Sequence, residues 1–151
     1  MHVALAWTLL FAPAALAQQL PVVELPVVEL RMGVHLIRAE VAADHSSRGR
    51  GLMGRKSLAP NAGMLFVFDR AARHCMWMKN TYIPLSVAFV DDKGEIINIA
   101  DMQPHSEQSH CAARPALYAL EMTQGWFVQR GIKAGARLGG VEQAGKPPVN
   151  R

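Results

Sequence analysis

The chain is short of cysteine, of aromatic side chains and of charge. It has two Cys, two Tyr, three Trp and five Phe in 151 residues, and only 19% of positions are Asp, Glu, Lys or Arg. Two cysteines cannot staple a disulfide-dense miniprotein or form the four-thiolate cage of a zinc ribbon. So little charge beside 50% apolar residues excludes a disordered, self-repelling chain. Several catalytic signatures are missing. There is no phosphate loop ending in Gly-Lys-Ser or Gly-Lys-Thr, no Gly-x-Ser-x-Gly elbow, no Cys-x-x-Cys and no His-Glu-x-x-His. What remains is the composition of one small globular domain with a formal net charge of +4.

The apolar residues are unevenly spread. Residues 1–17 contain fourteen of them and no Lys, Arg, Asp or Glu. Met1 and His2 lead into the uncharged run Val3 to Leu16, which closes on Ala15-Leu16-Ala17 with Gln18 next. This is the layout of a secretory signal peptide, and the run is short for the ~20 residues of a spanning helix. The sequence predicts cleavage near Ala17 and a periplasmic or secreted mature chain without a transmembrane segment. In that oxidising setting the even pair Cys75 and Cys111 is expected to form a disulfide closing a loop of about 36 residues, with two free thiols as the alternative.

Residues 18–26 read as an extended lead-in. They carry most of the doubled unit Leu-Pro-Val-Val-Glu, whose Pro21 and Pro26 lack the amide a central strand would donate. Residues 27–141 read as a single β-rich domain and 142–151 as a flexible tail. Val34 to Val41 alternates in part, after a Met32-Gly33 turn. Asp44 offers an N-cap to a short helix over 45–54, with Leu52 and Met53 inward and Arg48 and Arg50 outward. Gly63 to Phe68 and Cys75 to Met78 are candidate strands. Leu85 to Asp91 and Glu95 to Ala100 flank Asp92-Lys93-Gly94 as a hairpin. Residues 101–115 read as a loop, Ala116 to Met122 as a strand, and Trp126 to Arg130 as helical turns ended by Gly131. Arg137 to Val141 is a weak last strand. Short strands separated by turns predict a mainly β fold, a compact barrel-like or jelly-roll sandwich with two short helices. No helical period long enough for a βαβ unit is visible.

Four stretches follow one pattern in order and spacing. They are Arg50-Gly51-Leu52-Met53-Gly54-Arg55, Gly63 to Phe68, Met76-Trp77-Met78-Lys79-Asn80-Thr81-Tyr82-Ile83-Pro84-Leu85, and Ala119-Leu120-Glu121 with Gly131-Ile132 downstream. Over about residues 27–141 the chain resembles the exported bacterial and archaeal family called domain of unknown function 192. The resemblance implies a barrel-like or jelly-roll β fold and no established catalytic activity. The chain departs from the family pattern at Ser86, where Asp often stands, at Ala136, another Asp position, and at Met122-Thr123-Gln124-Gly125.

Several constellations could carry chemistry. Trp77, Lys79, Asn80 and Thr81 could form a ligand patch of one stacking surface, one charge and paired hydrogen bonds, or simply a polar strand-to-turn transition. Glu121 sits in an apolar segment and, if buried, would be expected to pair with a cation such as Arg50 or Lys79. Arg50 and Arg55 belong to a basic cluster with Arg48 and Lys56. No cofactor is predicted. The soft-ligand set His74, Cys75, Met76, Met78, His110 and Cys111 makes Cu(I) the alternative, although Met76 and Met78 at period two are also what core packing gives. Ser106, His105 and Asp101 are the loose parts of a hydrolase set without a triad's spacing. The sequence thus predicts an exported module that binds or scaffolds a small ligand or cell-envelope component, rather than nucleic acid. A copper-binding module and a hydrolase acting on the envelope are the alternatives.

Overall fold

Gly63 to Phe68, Leu85 to Val90 and Ala116 to Met122 are apolar at nearly every position, as strands covered on both faces must be. The computed structural model describes residues 24–145 and places these three runs side by side at the centre of one sheet. In chain order the strands are β1 (Val27–Met32), β2 (His35–Ala42), β3 (Ala62–Ala72), β4 (Cys75–Met76), β5 (Leu85–Val90), β6 (Ile96–Met102), β7 (His110–Cys111), β8 (Ala116–Thr123) and β9 (Leu138–Gly139). Seven of them form a sheet in the order β6-β5-β8-β3-β2-β1-β9, and β4 and β7 form a separate ribbon. The predicted signal peptide, most of the lead-in and residues 146–151 lie outside the described residues. Among the described residues no helix is long and apolar enough to cross a membrane.

The sheet curls until its ends meet. Ile96 N–H donates to Ala136, Gly135 N–H to Ile96, and Leu138 N–H to Gly94, so the start of β6 touches the strand that also pairs with β1. Gly94 has φ +82°, and a Cβ there would collide with the Leu138 carbonyl, so this closure needs glycine. The inner face buries Leu30, Ile37, Val67, Leu120 and Phe127. A barrel-like fold is what the alternation and the family resemblance led us to expect.

The outer face of β3, β8 and β5 is not free. A second core of Met64, Phe66, Val87, Phe89 and Ala119 is covered by Leu52, Met78 and Ala112 from connecting segments. Gly63 allows this sheet to close up: a Cβ there would collide with the Glu121 carbonyl and the Met122 sulfur.

One expectation fails. β2 and β3 pair in parallel, from Arg38 opposite Ala62 to Ala42 opposite Phe66, so a crossover over 43–61 does exist. Its only helix is α1 (His45–Arg50), six residues long. That is too short to leave a helical period in the sequence, but the connection as a whole has the length a parallel return requires. Asp44 caps α1 as expected. Its carboxylate accepts from Ser47 N–H at 2.9 Å, and the Ser47 hydroxyl closes a capping box. Arg48 does not point outward. It folds back onto the carbonyls of Ala43 and Val67 and pairs with Asp69 at 3.1 Å.

The 101–115 segment also holds more order than its polarity suggested. Cys75 lies opposite Cys111 and Met76 opposite His110, and the two cysteines form a disulfide. Past β9, residues Val141–Ala144 form a 3-10 turn that buries Val141.

Candidate functional site

The Trp77 to Tyr82 segment is a turn fixed by its backbone. Met78 N–H donates to the Ser106 carbonyl at 2.9 Å, Thr81 N–H to Met78 at 3.0 Å, and His105 N–H to Thr81 at 3.1 Å. Asn80 takes φ +54°, a conformation Asn tolerates, and its carbonyl accepts from Gly54 N–H. This geometry drives Met78 and Thr81 inward and leaves Trp77 and Tyr82 47% and 57% exposed. Lys79 lies over the Trp77 ring at 5.3 Å and pairs with Glu107 at 3.5 Å. Tyr82 meets His105 edge to face.

Arg50 and Arg55 line a neighbouring hollow of about 580 Å³, with Ser47, Gly51, Met53 and Gly54 from the crossover, Glu40 from β2 and Met64 from β3. Gly54 joins this hollow to the turn through its bond to Asn80. Arg55 is held by Glu40 at 2.6 Å, whereas Arg50 is exposed and forms no ion pair among the described residues. The basic cluster is therefore half neutralised, because Arg48 and Arg55 are both paired.

Gly49-Arg50-Gly51-Leu52-Met53-Gly54 has the spacing of a dinucleotide loop but does not directly follow a strand, as that loop requires. Here the glycines end a helix instead of opening one, and the amides of Gly51, Met53, Gly54 and Arg55 all donate to nearby carbonyls. The loop has few amides to offer a phosphate.

Glu121 forms no ion pair among the described residues, in contrast to the expectation of a partnered carboxylate. Of the two expected partners, Lys79 pairs with Glu107 and Arg50 is in no ion pair among the described residues. Glu121 is 3% exposed on the outer face of β8, between Met64 and Val87. Burial alone pushes its carboxyl up to about 8, so at neutral pH the group is chiefly the uncharged acid. Met64 separates it from the hollow.

The β4–β7 ribbon keeps Cys75, Met76, His110 and Cys111 as neighbours, but their packing and bonding use up most of the soft-ligand set. Cys75 and Cys111 share a disulfide, His74 stacks on Phe68 and bonds the Arg70 carbonyl, and Met78 is fully buried. Of the loose hydrolase parts, Ser106 accepts from Gln108 N–H and His105 packs on Tyr82. Asp101 accepts the hydroxyl of Ser86 at 2.5 Å. Ser86 in turn accepts from Gly125 N–H at 2.9 Å. Ser86 thus holds the acid of the next strand.

Residues 27–140 match the family DUF192, described as Uncharacterized ACR. A crystal structure from Sinorhizobium meliloti 1021, provisionally labelled a transcription regulator, has 36% identity and a TM-score of 0.78. The match covers 80% of this chain and 98% of that one. A protein of unknown function from Novosphingobium aromaticivorans DSM 12444 has 34% identity and a TM-score of 0.74, covering 78% and 88%. None of the curated proteins matches. By the span of the family match and the agreement in fold, the chain belongs to the domain of unknown function 192 family.

Proposed function

We propose that this protein is an exported binding module that holds an anionic glycan of the cell envelope. Its site would be the Trp77–Tyr82 turn and the adjoining Arg50 hollow. The observation that carries this reading is the fixed turn, which keeps two aromatic side chains in solvent and is joined by the Gly54–Asn80 hydrogen bond to a hollow lined by Arg50, a cation with no ion-pair partner among the described residues. Exposed aromatic faces stack on sugar rings at little conformational cost, and Arg50 suits a carboxylate. Thr81 and Asn80 set the backbone of the turn. Glu121 lies beside Met64 on the neighbouring strand. The signal-like run at Val3 to Leu16 supports export. With both sulfurs in a disulfide, the copper alternative loses its thiolates.

The test is a titration of the mature chain with soluble peptidoglycan fragments, followed by tryptophan emission. Saturable change is expected, lost in Trp77→Ala and weakened about tenfold in Arg50→Ala. A response indifferent to both substitutions, or no response, overturns the proposal. Retention by anionic phospholipid vesicles alone would assign the surface to lipid instead.

A further inference from the structure

A second hollow, of about 480 Å³, lies where β5 and β6 meet the loops over 124–134. It shares no lining residue with the Arg50 hollow. Its walls carry one acid, Asp101, and one base, Lys133, with Phe127, Ile99 and Ile132 as apolar lining. From these we propose that it binds a small zwitterion, an α-amino acid with an apolar side chain.

The acid is held in place. One Asp101 oxygen accepts from the Ser86 hydroxyl, and Ser86 is 1% exposed and fixed by Gly125 N–H. The other oxygen has no hydrogen-bond or ion-pair partner among the described residues. The loop that bears Lys133 is equally defined. Ile132 N–H donates to Phe127 at 3.0 Å, Ala136 N–H to Lys133 at 3.1 Å, and Gly135 N–H to Ile96 at 2.8 Å. Lys133 is exposed and in no ion pair among the described residues.

Opposite charges in one hollow that do not reach each other leave room for a molecule that satisfies both. An ammonium group fits the free oxygen of Asp101, a carboxylate fits Lys133, and a branched or aromatic side chain covers the half-buried Ile99 and Ile132. Asn98, also on the wall, is spent. Its side chain donates to the Cys111 carbonyl and accepts from Ala113 N–H.

Calorimetric titration with L-leucine and L-phenylalanine tests the proposal, with N-acetyl-leucine amide as the uncharged control. Saturable binding of a free amino acid near or below about 1 mM is expected, with none of the control. Asp101→Asn, which keeps an acceptor for Ser86, and Lys133→Met, at an exposed site, should each weaken binding at least about tenfold. Arg50→Ala should leave it unchanged, which separates this site from the glycan site. No saturable binding of either amino acid, or binding unaffected by both hollow substitutions, overturns the proposal.

Discussion

Glu121 on β8 lies directly opposite Met64 on β3, and its buried carboxyl faces apolar neighbours with no ion partner among the described residues. Burial raises its folded pKa from 4.5 to about 8. A raised pKa means that the unfolded chain releases the proton more readily. Stability is then fully present below pH 4.5 and is lost as pH rises toward 8. Between pH 4.5 and 7 the loss is on the order of 3 kcal/mol. Glu121→Gln should be similar to the parent at pH 4, more stable at pH 8, and flatter in between. Urea unfolding across that range measures it, and parallel pH profiles for the two proteins would refute the assignment.

The Cys75–Cys111 bridge ties β4 to β7 over a sequence separation of 36 residues. Replacing both cysteines by serine should lower stability by ~2–4 kcal/mol. Denaturation with and without dithiothreitol checks the origin: the reductant should destabilise the parent and leave the double variant untouched.

Two glycines should respond with opposite signs. Gly63→Ala puts a methyl into the Glu121 carbonyl and the Met122 sulfur and should cost about 1–3 kcal/mol. Gly49 lies inside α1 with open space around its would-be Cβ, so Gly49→Ala should stabilise by up to ~1 kcal/mol. Thermal unfolding of the pair provides the comparison.

Asp91 anchors the β5–β6 turn. It accepts from the backbone of Lys93 and Glu95 and pairs with Arg114 at 3.0 Å. Burial pushes its carboxyl up, but the Glu95 N–H, Arg114 and the Lys93 N–H outweigh burial and hold it below its ordinary value. Its contribution is therefore present above the unfolded pKa and fades as pH falls through the lower folded value. Asp91→Ala should cost about 1–2 kcal/mol at pH 7 and less at pH 3, read by denaturant melts at both.

Much of this was legible locally. The hairpin around Gly94, the Asp44 cap and the two-faced apolar strands each depend on residues close in sequence, and the structure keeps them. Asp91 is buried because its partners are the turn amides and an arginine 23 positions away, which no local pattern announces. The Arg50 hollow and the exposed pair Trp77 and Tyr82 were half visible. The motif named the residues, but which of them turn outward depends on bonds to Ser106 and Gly54. The Asp101–Ser86 pair escaped notice because a serine inside an apolar strand carries no local signal.

By itself the sequence determined where most of the longer strands lie, where the first helix begins, and that two cysteines could pair, because alternation, capping and count act over short distances. Only the tertiary structure decided that β2 and β3 run parallel, that residues 135–138 close the sheet, and that Glu121 lies buried with no ion partner among the described residues. Each of these depends on contacts between distant positions, made when two sheet faces must both be removed from water and every strand must find an edge to pair with.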